Sequence, residues 1–262
     1  MQFNINYSET DRIRIWCLER ESTMITAELD VHTHTLASGH AYGTIREMAQ
    51  AASEKGLKLL GITEHAKGIP GTCDDIYFQN LRVVPRSMYG VELMLGSEIN
   101  ILDYDGTLSM KQELIHKLDI RIAGIHSHCY KAGTKEQNTR AVINAIKNPG
   151  IDIISHPDDG NCPLNYEAIV PAAKEYSVLL ELNNNSLNPV NQRLHAKENN
   201  IKMLTLCMQY QVPILISSDA HDPVDVARFD FVTEVLDLTG FPQELIINKD
   251  VNNFKQFLRS KR

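Results

Sequence analysis

Short apolar segments alternate with longer amphipathic segments along most of the chain. The apolar segments are brief and rich in β-branched residues, which is typical of strands buried in a parallel sheet. Seven of them occur, at Ala27–Val31, Leu59–Ile62, Val91–Ile101, Ile120–Ile125, Ile151–Ile154, Val178–Leu182 and Val212–Ile216. The pattern predicts one α/β domain in which parallel strands alternate with helices.

The segments between these strands have the spacing of apolar residues that is typical of helices. Thr44–Lys55 has a threonine at its start and Gly56 directly after its end, a pair that often caps a helix. Similar helices are predicted at Lys135–Lys147, Asn165–Glu175, Ala196–Tyr210, Val224–Leu238 and Asn252–Arg262. Lys67–Arg86 has two prolines and two adjacent acids, and we expect it to be an irregular insertion near the mouth of a site.

The first 24 residues show no clear period, and a strand-like segment starts directly after Met24. We therefore expect residues 1–24 to be an N-terminal extension and residues 25–262 to form the functional domain. Met24 is then a candidate for the natural start in place of Met1. A short N-terminal helix packed on the body is the alternative.

Composition and charge exclude several classes of protein. The formal net charge of -7 disfavours a long nucleic acid as substrate, because an acidic protein repels polyanions. No window holds 18 apolar residues in a row, so we expect no membrane span. The five cysteines are odd in number and form no CxxC motif, which favours reduced thiols in the cytoplasm.

Side chains of the kind that bind metals follow nearly every predicted strand. They are His32 and His34 after the first strand, His65 after the second, Glu98 in the third, His126 after the fourth, His156 after the fifth, and Asp219 and His221 after the seventh. The carboxyl ends of the strands in an α/β barrel share one face, which is where active sites lie. A closed or nearly closed barrel therefore explains this pattern better than an open sheet does.

Imidazoles and carboxylates are the side chains that bind zinc, manganese and iron. His32 and His34 are two residues apart at a strand end and so lie on the same side of it, as do Asp219 and His221. A carboxylate can bridge two ions about 3.5–4 Å apart. Glu98 is the only glutamate among the candidates, and we expect it to be that bridge.

These motifs resemble the PHP (polymerase and histidinol phosphatase) family over residues 29–262. The matching motifs are His32-Thr-His34, His65, His126 with Glu98 ahead of it, and Asp219-Ala-His221. More narrowly, the chain resembles the YcdX-like subgroup of trinuclear zinc phosphatases. That subgroup has further histidines at positions that correspond to His40 and His156. The resemblance implies that residues 25–262 form a distorted, TIM-like (β/α)7 barrel of the PHP type, an α/β fold.

The resemblance also implies how nine ligands hold three divalent metal ions. One ion would be bound by His32, His34, Glu98 and Asp219, a second by Glu98, His126 and His156, and a third by His40, His65 and His221. Zinc is the expected metal, with manganese or iron as alternatives, because all three accept these ligands. A homotrimer is a further implication of the subgroup.

A cluster with up to six positive charges and two ligand carboxylates favours an anionic substrate, and a phosphate suits it. We therefore expect a phosphoric monoester hydrolase in which a hydroxide bridging two ions attacks phosphorus in line with the leaving oxygen. Glu98 and Asp219 are the predicted catalytic residues, since Glu98 links the metals and Asp219 could also steer a proton. The substrate would be a small phosphorylated compound, and histidinol phosphate is the specific alternative.

Four other residues are candidates for supporting roles. Arg193 and His128 are predicted substrate contacts near the strand ends. Asp30 precedes His32 by two residues and is a candidate hydrogen-bond partner for a ligating histidine. Alternation directs Glu64 away from the site, so that it serves either the fold or the orientation of a ligand.

Three other classes of protein remain open as alternatives. An amidohydrolase-like enzyme also has an HxH motif and a late aspartate, but it has no counterpart of His40. A nuclease or proofreading domain is disfavoured by the length and charge of the chain. A non-catalytic metal-binding protein is disfavoured because nine ligands for three ions leave coordination positions free for water.

Overall fold

One sheet organises residues 26–260, the part of the chain that the computed structural model describes. Its eight strands are β1 (Leu29–Asp30), β2 (Leu59–His65), β3 (Ser87–Met88), β4 (Val91–Asn100), β5 (Ile120–Gly124), β6 (Ile153–Ile154), β7 (Leu179–Asn183) and β8 (Ile214–Ser217). Seven are parallel and lie in the order β1-β2-β4-β5-β6-β7-β8, while β3 pairs antiparallel with the start of β4. Each of the seven predicted strands overlaps one of these parallel strands.

Helices connect the strands and pack on the outer face of the sheet. In the described residues they are α1 (Ile45–Glu54), α2 (Asp75–Asn80), α3 (Gln112–Ile115), α4 (Lys135–Lys147), α5 (Tyr166–Glu175), α6 (Asn184–Leu187), α7 (Ala196–Tyr210), α8 (Asp230–Thr239) and α9 (Val251–Ser260). Thr44 and Thr134 start α1 and α4 with capping boxes, in which each threonine and the third residue of its helix exchange hydrogen bonds. These reciprocal bonds fix where the two helices begin.

The seam between β1 and β8 is closed mainly by one side chain. Asn248 donates through Nδ2 to the carbonyl oxygens of Leu29 at 3.0 Å and Ile216 at 2.7 Å. Its Oδ1 accepts from the backbone N–H of Ile216 at 2.8 Å. Nearer the carboxyl ends of the strands, Thr33 and Ala220 form a single parallel bridge. The seven parallel strands thus form a nearly closed barrel, and the predicted fold is confirmed.

Apolar side chains from six of the strands fill the interior of the barrel. They are Leu29, Leu59, Ile120, Ile122, Ile153, Leu179 and Leu215. Phe254 and Leu258 of α9 pack into the same cluster and cover the end at which the strands begin. Burial of such a side chain contributes about 1.5–3 kcal/mol. The amino-terminal end of the barrel is therefore an apolar plug, and polar side chains occupy the opposite end.

The helix predicted at Val224–Leu238 is divided in the structure. A 3-10 turn covers Pro223–Asp225, and α8 begins only at Asp230. Between them Ala227 has a φ of 54°, in the left-handed region, and its backbone N–H donates to Asp30 at 2.9 Å. This bond from a distant carboxylate holds the chain outside helical geometry, and the spacing of apolar residues does not reveal it.

The predicted irregular insertion at Lys67–Arg86 contains more regular structure than expected. It includes α2 and a 3-10 turn at Leu81–Val83, and Phe78 and Leu81 are buried in the main core. These helical segments are too short for their period to stand out in the sequence. The segment does lie near the site, because Ile69 lines its cavity.

The N-terminal residues and membrane-spanning helices are the remaining subjects of prediction. The N-terminal extension at residues 1–24, and the choice between Met1 and Met24 as the start, fall outside residues 26–260. Within that described range, we find no helix with the length and apolar character needed to cross a bilayer.

Candidate metal centre

Alternation along the strands brings polar side chains to the carboxyl end of the barrel. Residues two apart on a strand point to the same face. The inner face of β8 runs from buried Leu215 to Ser217, and two residues further lies Asp219. Parallel register sets His65 of β2 directly beside Glu98 of β4. Different strands thus deliver potential ligands at one level of the barrel.

All nine predicted ligands lie in one cluster at this end. They are His32, His34, His40, His65, Glu98, His126, His156, Asp219 and His221. The ring centres of His34 and His65 are 4.3 Å apart. Those of His65 and His126 are 5.1 Å apart, which joins the two halves of the cluster.

Glu98 lies at the centre of the cluster and is completely buried. Its Oε1 is 2.7 Å from Nε2 of His156 and 3.1 Å from Nε2 of His126. Its Oε2 is 2.9 Å from Nδ1 of His65 and 3.3 Å from Nε2 of His32. The two oxygens thus face two different pairs of histidines, which is the arrangement that a bridging carboxylate requires.

Asp219 is the second carboxylate of the cluster. Its Oδ1 is 3.2 Å from Nε2 of His34 and 3.7 Å from Nε2 of His32. Its Oδ2 accepts a hydrogen bond from Nδ2 of Asn183 at 3.1 Å, which fixes the orientation of the carboxylate. One oxygen is therefore held by the protein while the other faces the histidines.

The outer part of the cluster is formed by His40 and His221. Their Nε2 atoms are 3.1 Å apart, and both side chains reach the cavity above. The Nδ1 atoms are turned to backbone carbonyls, Ser38 O at 3.1 Å for His40 and Asp219 O at 2.9 Å for His221. In each ring this leaves the Nε2 lone pair free to bind a metal.

Several buried atoms of the cluster have no hydrogen-bond partner among the described residues. They are His32 Nε2, His34 Nε2, His65 Nδ1, Glu98 Oε2, His126 Nδ1 and Asp219 Oδ1. An unpaired buried polar atom costs about 1–3 kcal/mol, so such atoms rarely collect in one place without a reason. Divalent cations bind lone pairs of this kind, and the donor set therefore fits the metal ions that the sequence predicts.

Ligand atoms within 4.8 Å of one another form three overlapping sets. They are His32, His34 and Asp219; His65, Glu98 and His126; and His34, His65 and His221. The first set agrees with the core of the first predicted site. The other two contain His65 where the prediction has His156, and His34 where it has His40. The nine residues meet as a group, and their division among three ions stays a prediction.

Glu181 of β7 is a buried carboxylate that the sequence analysis missed. Its Oε1 is 2.6 Å from Nδ1 of His32, and Ser217 donates to the same oxygen. Its Oε2 accepts from the backbone N–H of His156 at 2.7 Å and from Asn183 Nδ2 at 3.0 Å. The sequence did contain a signal for Glu181, since it is an acid within a predicted buried strand that supplies no predicted ligand. Buried glutamates are nearly always paired, so such a residue calls for a partner.

Glu64 orients His34 through a serine. Ser38 Oγ donates to Glu64 Oε2 at 2.5 Å and lies 3.0 Å from Nδ1 of His34. Ser38 Oγ also accepts from the backbone N–H of His65 at 3.0 Å. Glu64 also accepts hydrogen bonds from the backbone N–H and hydroxyl of Thr35 and from Tyr77, so its contacts are consistent with both roles left open for it.

The predicted partnership between Asp30 and a ligating histidine is wrong. Leu29 and Val31 point into the barrel, so Asp30 between them points outward. Its carboxylate accepts from Ser218 Oγ at 2.5 Å and from the backbone N–H of Ala227 at 2.9 Å. Asp30 thus fixes the loop after β8, and Glu181 holds the position next to His32 instead.

Local backbone geometry is unusual where β5, β6 and β8 end. His156 and Asp219 have φ values of 30° and 53°, which non-glycine residues rarely adopt and which tend to occur at functional sites. Gly124 lies beside them. A Cβ atom there would be 2.2 Å from Ser155 Oγ and 3.1 Å from Glu98 Oε1. Only glycine lets these strand ends approach so closely.

The electrostatics of the cluster favour the ligating forms of most residues. Burial and the neighbouring His65 and His221 hold the pKa of His34 well below its ordinary value, so its ring is neutral. Burial would raise the pKa of Glu98, but His126 and His32 outweigh it and hold that pKa well below the usual range. Burial also opposes charge on His32, yet Glu181 and Glu98 raise its pKa well above normal.

A cavity of about 480 Å³ lies over the cluster. Both predicted substrate contacts line it: Arg193 is half-buried and donates to Ser186 Oγ, while His128 is exposed. Arg228, which the sequence analysis missed, also lines the cavity but is paired with Asp225 at 3.0 Å. The cavity therefore has a floor of imidazole and carboxylate side chains and a rim with cationic groups.

Comparison with known proteins agrees with this architecture. A family model described as the PHP domain matches residues 30–210. A probable phosphatase of Clostridium novyi is 43% identical over 233 residues, which cover 89% of this chain and 95% of that protein. A probable phosphatase of Caldicellulosiruptor saccharolyticus is 44% identical over 232 residues, covering 88% and 96%. The chain belongs to the PHP domain family.

A solved structure has the same fold at low sequence identity. It is the histidinol phosphate phosphatase of Lactococcus lactis in complex with zinc, L-histidinol and phosphate. It is 14% identical, with a TM-score of 0.55, and the match covers 90% of this chain and 94% of that one. At this identity the likeness concerns the fold, and it agrees with the nearly closed parallel barrel described above.

Proposed function

We propose that the protein is a metal-dependent phosphatase that hydrolyses small phosphomonoesters at the carboxyl end of its barrel. The main support is the convergence of nine imidazole and carboxylate side chains, with unpaired lone pairs, beneath a cavity whose rim carries Arg193. The names of the two bacterial relatives, both probable phosphatases, point to the same activity.

The nine residues would hold three divalent ions, with zinc as the expected metal and manganese or iron as alternatives. The zinc in the Lactococcus lactis structure supports this choice. Bound ions would lower the pKa of a coordinated water to about 7, so that hydroxide is available at neutral pH. Glu98 would be shared between ions, since its two oxygens face separate pairs of histidines.

The surrounding side chains would bind the substrate and move protons. Arg193 would bind oxygens of the phosphoryl group, because a guanidinium forms paired hydrogen bonds with phosphate. Asp219 Oδ1 would steer a proton, since it is buried beside the histidines without a hydrogen-bond partner while Oδ2 is held by Asn183. His128 at the rim would contact the leaving group. In hydrolysis, water supplies the new P–O bond, the ester P–O bond breaks, and the leaving oxygen takes a proton.

The substrate is expected to be small. A cavity of about 480 Å³ falls in the usual range of small-molecule sites, about 300–1,000 Å³. Histidinol phosphate is one candidate, because the Lactococcus lactis structure holds L-histidinol and phosphate. The homotrimer and the cytoplasmic location stay predictions.

The test begins with purified, metal-loaded protein. Elemental analysis should give close to three divalent ions per chain, and p-nitrophenyl phosphate should be hydrolysed. Glu98→Ala should abolish turnover, since the carboxylate at the centre of the cluster is lost. Glu92→Ala is the matched control, because Glu92 is on the same strand but pairs with Lys255 at the far end. Full activity in Glu98→Ala would contradict the mechanism.

The same preparation separates the alternatives. An amidohydrolase would cleave amide or cyclic C–N substrates and leave phosphomonoesters intact. A nuclease would degrade single-stranded DNA faster than p-nitrophenyl phosphate. A storage protein would bind the metal with no turnover of any of these substrates, including sugar phosphates, nucleotides and histidinol phosphate.

A further inference from the structure

A second, smaller cavity opens beside the metal cluster. It has a volume of about 120 Å³, and we call it the side pocket. Ile125, Ser127, His156 and Asp159 line both the side pocket and the main cavity. Because His156 is a proposed metal ligand, the entrance to the side pocket is one side chain away from the reacting centre.

The inner walls of the side pocket are apolar. They are formed by the side chains of Ile101 directly after β4, Val142 of α4, Ile154 of β6 and Leu164 of the loop after β6. The floor of the main cavity, in contrast, consists of histidines and carboxylates. The two connected spaces therefore suit chemically different parts of one molecule.

Several polar side chains of the lining are paired within the protein or uncharged, Tyr130 and Cys162 among them. The hydroxyl of Tyr130 donates to Asn138 Oδ1 at 3.1 Å, so its hydrogen bond is made within the protein. Burial raises the pKa of the Cys162 thiol to about 12, which keeps it uncharged at neutral pH. Ser155 Oγ donates to Glu98 and Asn161 Nδ2 donates to Asp159, so these groups are also paired within the protein. The one carboxylate of the lining, Asp159, is on the side shared with the main cavity.

We propose that the side pocket binds an aromatic or branched aliphatic part of the leaving group while the phosphoryl group lies over the metal cluster. This inference rests on the proposed function, and it names a substrate class: phosphomonoesters with a compact apolar leaving group. An apolar cavity of about 150 Å³ binds benzene. The side pocket is smaller, about 120 Å³, but it shares lining residues with the main cavity, so a ring could extend partly into that shared space.

The experiment measures binding, so that it does not depend on turnover. Benzylphosphonate and methylphosphonate share a non-hydrolysable head group and differ in one apolar ring. Calorimetric titration of the metal-loaded protein should show benzylphosphonate binding roughly 10-fold to 100-fold more tightly, the effect of burying one large apolar group. In turnover, benzyl phosphate should have a higher kcat/KM than glycerol phosphate.

Two variants test whether the side pocket is the cause. Ala132 is exposed and lines the side pocket, so Ala132→Trp should obstruct it without disturbing the core. Val142→Phe fills the side pocket from α4, with circular dichroism to verify that this variant folds. Both should bring the two affinities within about twofold of each other and leave methylphosphonate binding unchanged. Lys131→Trp, next to Ala132 and outside both linings, should keep the wild-type ratio.

The outcomes separate this inference from the proposed function. Equal binding of the two phosphonates by the wild-type protein would overturn the side-pocket proposal and leave the phosphatase proposal standing. A preference that survives both Ala132→Trp and Val142→Phe would also overturn it. Failure of the metal-loaded protein to bind either phosphonate would contradict both proposals at once.

Discussion

His32 and Glu181 lie 149 residues apart in the chain, yet His32 Nδ1 and Glu181 Oε1 are 2.6 Å apart in the buried centre of the barrel. The other nitrogen of the ring, Nε2, faces Glu98 Oε2 at 3.3 Å. Glu181 therefore fixes the orientation of the imidazole and directs Nε2 to the cluster. Such outer carboxylates also make a ligating histidine more basic.

Replacement of Glu181 by glutamine should weaken metal binding about 10-fold to 100-fold, the usual effect of losing such a partner. The amide has the same shape but lacks the charge that supports His32. An NH2 group in place of Oε2 donates and cannot accept, so His156 N–H and Asn183 Nδ2 would lose their acceptor. Competition titration with a zinc chelator at pH 7.5 measures the change. Glu92→Gln serves as control. Unchanged zinc affinity in Glu181→Gln would assign Glu181 a purely structural role.

Replacement of Arg193 by alanine should lower kcat/KM for a phosphomonoester by about 10-fold to 100-fold, mainly through KM. The reason is the loss of charge-assisted hydrogen bonds of about 1.5–3 kcal/mol between guanidinium and phosphoryl oxygens. Metal content should not change. Arg46→Ala, an exposed change on α1, is the control. If KM is the same in Arg193→Ala and the wild type, Arg193 does not bind the substrate.

Replacement of Asn248 by alanine should reduce the free energy of unfolding by about 2–4 kcal/mol. The change removes three buried hydrogen bonds and leaves the Leu29 and Ile216 backbone groups without their partner at the seam. Urea denaturation followed by circular dichroism gives the value. Asn253→Ala, exposed on α9, should change stability by less than about 0.5 kcal/mol. Equal stability of the two variants would show that the seam does not depend on Asn248.

Two buried thiols should react very slowly at moderate pH. Burial raises the pKa of Cys162 and of Cys207 to about 12, and only the thiolate is nucleophilic. The fraction of reactive thiolate therefore increases as pH rises, by roughly tenfold per pH unit until the pKa is approached. Alkylation with iodoacetamide at pH 8, followed by peptide mass spectrometry, should leave both sites unmodified. The unfolded protein should label fully, and rapid labelling of the folded protein would contradict the raised pKa values.

The sequence was sufficient to predict the fold, because its signals there are local and repeated. Short β-branched segments between capped helices mark the parallel strands, and the ligand residues after those strands indicate a shared face. The predicted and observed elements differ where a group distant in the sequence bonds to the backbone. The carboxylate of Asp30 interrupts the helix predicted after Val224, and no local pattern marks a contact between residues 30 and 227.

The candidate ligand residues could be predicted from the sequence, but the side chains that orient them could not. Residues of the metal-binding type occur at the strand ends, where the active sites of barrels lie. They are the HxH pair, the DxH pair and Glu98. Glu181 was missed because it lies inside a strand and reaches His32 only through the closure of the barrel. Asp30 was assigned wrongly because the two-residue rule was applied across the end of β1, where the chain no longer follows strand geometry.

The bare Cα of Gly124 limits how this scaffold can be altered. A methyl group there would lie 2.2 Å from Ser155 Oγ and 3.1 Å from Glu98 Oε1, so Ser155 would have to move and the carboxylate at the centre of the proposed metal cluster would be pushed aside slightly. Libraries that aim to change substrate range should therefore keep position 124 constant and place their diversity at Ala132 and in the loop that carries Arg193. If the proposed function holds, such libraries would change which leaving group is accepted while the proposed metal ligands keep their positions.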